Sequence, residues 1–311
     1  MKRHLLHLTV PAGRGLTLRI VERPAQALGP HALAALLADL RSVAHSVLPE
    51  GALDYGVLGD DRARLEQTVV TVIHDKRSGR PVAFNALALM DAELGGRPIE
   101  ILHLGLVMVD PALRGRGLSE LLYGFTCVLL FLRRQGRPLW VSSVTQVPAV
   151  VGMVAETFDD VFPTPERPTN PDFTHRFLAR QIMARHRHVF GVGGDAWLDE
   201  DRSVICNAYT GGSDDLKKTF ETVAGHRNSA YNAFCAERLD YARGDDVLQI
   251  GRMNLKAASG YLGRIARPGS APWLAGSLAM FALKSVVLPV IQWFDDDQHW
   301  GDLRPWKAAR R

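Results

Sequence analysis

The sequence predicts an α+β fold, a mixed α/β arrangement in which helices lie on a central sheet. Three observations lead there. Three β-rich runs, at 68–74, 81–90 and 99–109, follow one another with only polar turn clusters between them. A helical pattern precedes them at 33–47, and two more follow at 118–134 and 149–158. Between the third strand and the next helix there is nothing but a short glycine turn.

In chain order, residues 16–22, Leu-Thr-Leu-Arg-Ile-Val-Glu, alternate as a half-buried strand does, and 33–47 then place Leu and Ala at helical spacing. The runs at 68–74 and 81–90 flank Asp75-Lys76-Arg77-Ser78-Gly79-Arg80, a polar cluster with a glycine that suits a hairpin. A second break, Glu93-Leu94-Gly95-Gly96-Arg97-Pro98, leads into 99–109, so three consecutive antiparallel strands are expected. The helix at 118–134 stops at Gln135-Gly136-Arg137-Pro138, where Gly and Pro follow a C-terminus. A strand at 139–144 and the helix at 149–158 complete the order β-α-β-β-β-α-β-α, which is not that of a doubly wound fold.

Pro163, Pro165, Pro168 and Pro171 mark the expected domain edge, giving a first domain at 1–162 and a second, mainly helical one at 163–311. The second reads as a basic helix (173–190), a Gly/Asp loop (191–195), a strand (203–208), helices at 214–223 and 229–241, a strand (247–250) and an apolar stretch (271–294). With 311 residues there is ample core for one large or two modest domains. Hydrophobic residues at 47% and charged residues at 23% exclude a mainly disordered or multi-span membrane protein.

A formal charge of +4 is too diffuse for a nucleic-acid partner, and a small anionic ligand would account for it. Cys127, Cys206 and Cys235 form no CxxC and no zinc spacing, so a reducing, cytoplasmic setting without a bound metal is expected. The start, Met1 to Leu8, has a short apolar run broken by His7, unlike a signal peptide.

The segment that carries chemistry is 106–119, Leu-Val-Met-Val-Asp-Pro-Ala-Leu-Arg-Gly-Arg-Gly-Leu-Ser. Its strand runs through two glycines into a helix, so backbone N–H groups of Arg114, Gly115, Arg116, Gly117, Leu118 and Ser119 can converge with the positive end of the helix dipole behind them. Gly115 and Gly117 leave room for a diphosphate, and Arg114 and Arg116 add charge at the rim. Position 120 is Glu and no Gly-Lys-Ser/Thr occurs, which disfavours dinucleotide and nucleoside-triphosphatase loops.

Read as Ala112-Leu113-Arg114-Gly115-Arg116-Gly117, the segment resembles motif A of the GNAT superfamily, the acyl-CoA-dependent N-acyltransferases, whose pattern is Gln/Arg-x-x-Gly-x-Gly/Ala; Ala112 stands where the family has Gln or Arg. The order of elements over 16–162 is similar to that family's arrangement. The resemblance implies a GNAT-like mixed sheet and acetyl-CoA or a longer acyl-CoA as co-substrate, held by the loop and by the backbone of Val107 and Val109. It also implies direct transfer to an amine without a metal, the carbonyl being polarised by backbone N–H of the fourth strand.

Departures matter as much. The family's Asn-x-x-Ala-x-x-x-Tyr-x-x-x-Gly-Phe is echoed in spacing by Gln146, Ala149, Met153, Thr157 and Phe158, with Met153 where the family's proton-donating Tyr stands. The resemblance places a general base on the fourth strand, where Glu100 and His103 are the polar residues, and His103 has the better intrinsic pKa. Each is also an ordinary strand residue in its own right. Ser142 and Thr145 are candidates for substrate binding, with turn bonding as the alternative. Tyr123 is a candidate replacement acid and otherwise a packing residue.

Within the helix at 118–134 the run Cys127 to Leu132 is apolar on every side, so its outer face should be covered by the second half. Residues 271–294 carry Lys284 as their one charge and read as a core helix, with a membrane-surface helix or a span as alternatives. Peripheral membrane contact, a lipid amine in place of a small-molecule acceptor, an acyl carrier protein as donor and a non-catalytic acyl-CoA or lipid binder therefore stand beside the acyltransferase reading.

Overall fold

The structure, a computed structural model, describes residues 5–13, 15–47, 56–59, 61–134, 136–210 and 217–265. In chain order it holds β1 (His7–Pro11), β2 (Leu16–Glu22), α1 (Pro24–Ala27), α2 (Pro30–His45), α3 (Arg62–Leu65), β3 (Thr68–Asp75), β4 (Pro81–Leu94) and β5 (Arg97–Val109). Next come α4 (Leu118–Arg133), β6 (Leu139–Thr145), α5 (Pro148–Thr157) and β7 (Asp159–Phe162). After them follow α6 (Phe173–His186), β8 (Trp197–Asp199), β9 (Val204–Cys206), α7 (Ser229–Arg238), β10 (Asp246–Met253) and α8 (Leu255–Ile265).

All these strands share one mixed sheet, ordered β1-β2-β3-β4-β5-β6-β10-β9-β8, with β7 beside β10. The expected α+β class holds. β1 to β5 are antiparallel neighbours, β5 and β6 are parallel, and β6 is antiparallel to β10. The β3–β4 hairpin turns where Asp75 Oδ1 accepts from the backbone N–H groups of Arg77 and Ser78, at 3.0 and 2.8 Å.

The sheet crosses the expected domain edge. β10 pairs with β6 from Val247↔Thr145 to Met253↔Leu139, so strands from both sides of the proline cluster lie in one sheet. Residues 217–223 are not helical, and 217–222 are all exposed. The stretch 271–294 lies outside the described residues.

On one face, α4 shares a core with Leu18, Ile20, Val69, Leu87 and Leu102; on the other, α2 packs over Val70, Val72 and Phe84, and α6 over Met90, Ile101 and Trp140. The outer side of α4 is covered by α8, from the second half. Tyr261 is 1% exposed, its Oη donates to Glu120 O at 3.2 Å, and a Cβ on Gly124 would fall 1.8 Å from its ring. Only glycine permits that approach. Two of the basic charges of α6 are answered within the fold, Arg176 by Asp201 at 2.8 Å and Arg180 by Glu200 at 2.7 Å.

Candidate functional site

β5 carries an extra residue. Ala88 pairs with His103 but Ala86 with Leu106, so Leu104 and Gly105 together oppose Leu87 in a β-bulge. The bulge shifts the alternation. Before it Leu102 and Leu104 belong to the α4 core, and after it Val107 and Val109 do, while Leu106 and Met108 pack on the α2 side. At Gly105 a Cβ would come 2.8 Å from Ala86 O, so glycine is required there. Tyr123 Oη, rising from α4, donates to Gly105 O at 2.7 Å and fixes the bulge; burial pushes that phenol's pKa up.

At the same place the sheet splits. β6 pairs with β5 only at Ile101, Leu102 and His103, and then continues beside β10 alone. From Leu104 onward β5 has β4 on one edge and, among the described residues, no strand on the other, so its outward backbone groups face an opening. A cavity of about 520 Å³ lies at this split. Its walls are Asp61, Ala63, Arg64, Gln67 and Thr68 around α3, Ala86 and Ala88, His103 to Leu106, Val144 to Val147, and, from the second half, His188, Val189, Phe190, Tyr209, Lys218 and Asp246.

His103 is buried at the inner end. Its Nδ1 shares a 3.1 Å hydrogen bond with Ser142 Oγ, its ring lies 5.2 Å from that of Phe190, and burial pushes its pKa down to about 4. It is a neutral imidazole at neutral pH. Thr145 lines the cavity, and its Oγ1 accepts from Val147 N at 3.1 Å. Glu100 is not brought to the cavity: Arg23 holds Oε1 at 2.7 Å and Arg134 holds Oε2 at 3.2 Å. Met153 packs against the α4 core, and Cys127 is buried, with its thiol pKa pushed up.

The motif loop lies beyond the far end of β5. Asp110 Oδ1 caps the turn by accepting from Ala112 N at 2.9 Å, and its Oδ2 accepts from Arg80 at 2.7 Å. Gly115 and Gly117 both have φ of +75°, the left-handed region that glycine enters without strain. Gly117 is the N-cap of α4 and supplies no side-chain cap, so the first-turn N–H groups are left to an outside acceptor. Arg114, Arg116 and Ser119 are exposed around open space over both glycines. The loop and the unpaired edge of β5 thus lie on one continuous strand-to-helix segment.

Sequence reasoning missed Asp246. It opens β10, is 5% exposed, and its Oδ1 accepts from Tyr209 Oη at 3.1 Å; Tyr209 in turn accepts from Gln146 Nε2. Burial, helped by the neighbouring charge of Asp245, pushes its pKa up to about 7. In the sequence it is one of two adjacent acids before an apolar run, and nothing local marks it as buried.

A second titratable cluster, Asp160, Asp172 and His175, lies apart from the cavity. Both imidazole nitrogens are engaged, Nδ1 by Asp172 at 2.8 Å and Nε2 by Asp160 O at 2.9 Å, and Asp160 is paired with Arg252 at 2.6 Å. The cluster reads as an ion-paired cap of α6.

β2–α2–β3–β4–β5–α4–β6–α5 reproduces the expected order of elements, and the structure adds a bulged β5 splayed from a parallel β6. That order is the one the resemblance to the GNAT superfamily implied. No model of a known family matches the chain, and no curated protein does. Solved structures align with parts of it. An acetyltransferase of Trypanosoma brucei is 25% identical over 38% of this chain and 76% of its own, with a TM-score of 0.26. Glucosamine-6-phosphate N-acetyltransferase of Arabidopsis thaliana is 22% identical over 35% and 70%, with a TM-score of 0.23. The AtaT toxin, bound to the C-terminus of its antitoxin and acetyl-CoA, is 16% identical over 41% and 75%, with a TM-score of 0.24. Among the described residues no helix is long and apolar enough to cross a membrane.

Proposed function

We propose that this GNAT-like protein is an acyltransferase that moves an acyl group from acyl-CoA, acetyl or longer, to an amine. One observation carries the reading: β5 leaves β6 at a glycine bulge, a cavity sits at that split, and the same strand ends in an uncapped, doubly left-handed glycine loop.

A CoA thioester fits this path. Its diphosphate would take the N–H groups of residues 114–119 and the guanidiniums of Arg114 and Arg116. Its pantetheine amides would pair with the free edge of β5 at Val107 and Val109, as an added strand would. The thioester would then reach the bulge, where backbone N–H groups facing the opening stabilise the developing oxyanion.

His103 and Ser142 stand beside that point. An imidazole that protonates at about 4 is a weaker proton acceptor than an alkylamine by a factor of about 10⁶. It suits a hydrogen bond to the attacking nitrogen better than storage of the ammonium's proton. Glu100, tied between two arginines, supports the strand. Ser142 orients His103, and Thr145 contributes to the cavity wall.

Calorimetric titration with CoA, acetyl-CoA and a long-chain acyl-CoA tests the reading, with Gly117→Trp as the blocked-loop control. Binding that the control loses supports it, and the preferred chain length identifies the acyl group. Absence of binding to all three, while an acyl carrier protein thioester is also refused, refutes it. A non-catalytic acyl-CoA binder is the second reading, favoured by Met153 packing into the core where the family's tyrosine would serve the thiolate; CoA binding without transfer to any amine would establish it.

A further inference from the structure

Acyl transfer to an amine needs a destination for the acceptor's proton, and His103 is a poor one. Resting on the acyltransferase reading, we propose that the acceptor is a primary amine with an apolar body, that its ammonium docks on Asp246 at the mouth of the split, and that Asp246 takes its proton.

The geometry singles out this carboxylate. Val247 pairs with Thr145, so Asp246 stands just past the end of β6, across the cavity mouth from the free edge of β5. Its neighbour Asp245 is matched by Arg243, with contacts of 2.7 and 2.6 Å, whereas Asp246 has Tyr209 as its side-chain partner and no Lys or Arg within ion-pair distance among the described residues. A buried carboxylate without a cation is costly, and an incoming ammonium supplies the missing charge. Val147, Val189 and Phe190 give the cavity an apolar side against which an apolar substituent of the amine would pack.

Charged and titratable groups facing this site are Tyr209, the adjacent Asp245, Tyr241, whose Oη donates to Gln146 O, Lys218, Asp61 and Arg64 on the cavity wall, Cys206 beside Arg243, and His103 and His188 on the far wall. Against that background burial holds the Asp246 pKa at about 7, poised to change protonation near neutral pH.

The ammonium passes one proton to a carboxylate oxygen of Asp246, and the freed lone pair forms a C–N bond to the thioester carbonyl. The carbonyl re-forms as the C–S bond breaks, and its electron pair leaves on sulfur. The second nitrogen proton goes to the thiolate, giving the amide and free CoA thiol, and Asp246 returns its proton to solvent. Tyr209 is a positioning residue: its hydroxyl stabilises the charged carboxylate and holds it toward the cavity.

The test uses the full chain, butylamine and phenethylamine as acceptors, and thiol release from acetyl-CoA as the readout, after CoA affinity is measured for each variant. Asp246→Asn is expected to keep CoA affinity within about twofold and to lose at least about 100-fold in kcat/KM for the amine. Tyr209→Phe is expected to move the acid limb of the pH profile to higher pH by about one pH unit, because the carboxylate loses its donor. That displacement distinguishes positioning from mere support of the fold. Wild-type protein that fails to bind CoA overturns the underlying reading. CoA-competent wild type that acylates neither amine, Asp246→Asn with unchanged amine kinetics, or Tyr209→Phe with an unmoved acid limb overturns the assignment of Asp246.

Discussion

Replacing Glu100 by Gln separates the two roles open to a polar residue on β5. In the structure Glu100 accepts from Arg23 at 2.7 Å and from Arg134 at 3.2 Å, and Arg23 also donates to Glu66 O at 2.8 Å. One carboxylate thereby ties β5 to the end of β2, the end of α4 and the residue after α3. A charge-assisted hydrogen bond is worth about 1.5–3 kcal/mol. Both guanidiniums are about one-fifth exposed, at 20% and 19%, so water softens the loss and the lower end applies to each. Gln also turns an N–H₂ donor toward one arginine. The expected destabilisation is about 2–3 kcal/mol, a fall in melting temperature of roughly 5–8 °C. Since Glu100 does not line the cavity, CoA affinity should stay within about twofold. Thermal melts and calorimetry on the same preparation read both quantities. A variant that melts within about 1 °C of wild type yet loses acyl transfer would refute the structural assignment and restore Glu100 as the base.

Tyr261→Ala removes a fully buried ring from the outer face of α4 and should cost about 3–5 kcal/mol, read as a lower urea midpoint. Gly105→Ala places a Cβ 2.8 Å from Ala86 O, and acetyl-CoA affinity should fall at least about tenfold by calorimetry as the bulge is displaced. The pH dependence of stability has two opposed contributions. His103 protonates at about 4 when folded and near 6.5 when unfolded, so it withdraws about 3 kcal/mol of stability as pH falls through that window. Asp246, at about 7 when folded and near 3.8 when unfolded, adds about 4 kcal/mol as pH falls from about 7 to about 3.8, since there the folded chain holds the proton. Asp246→Asn removes the second contribution, so between pH 7 and 4.5 its melting temperature should drop further than wild type's by roughly 5 °C or more, as thermal melts would read.

The order of the longer elements from residue 16 to 158 was legible because each is bounded by its own glycine, proline or polar cluster, whereas β1 and the four-residue α1 and α3 were not. The bulge in β5 was not: residues 99–109 are apolar in both phases apart from Glu100, His103 and Gly105, so a one-residue shift leaves no mark on the pattern. Nor were the arginine partners of Glu100 or the burial of Asp246. Arg23 and Arg134 reach Glu100 from 77 and 34 residues away, and the packing that buries Asp246 is likewise long-range. Residues 217–222 show helical spacing but remain exposed, so no surface rewards the turn. The expected cover over α4 was legible, since a helix apolar all round must be buried somewhere, but α8 as its donor was not.

The pairing of β6 with β10 also governs how the chain is made. β6 leaves the ribosome with one short parallel contact to β5, and its other edge must wait while β7, α6, β8, β9 and α7 are synthesised. At about 5–20 residues per second that interval lasts several seconds or more. During it the nascent chain exposes an unpaired, apolar strand edge, the kind of surface on which misassembly and chaperone capture begin. Native closure is a late, high-contact-order event. Premature termination anywhere before β10 should yield chains that aggregate rather than a smaller folded protein.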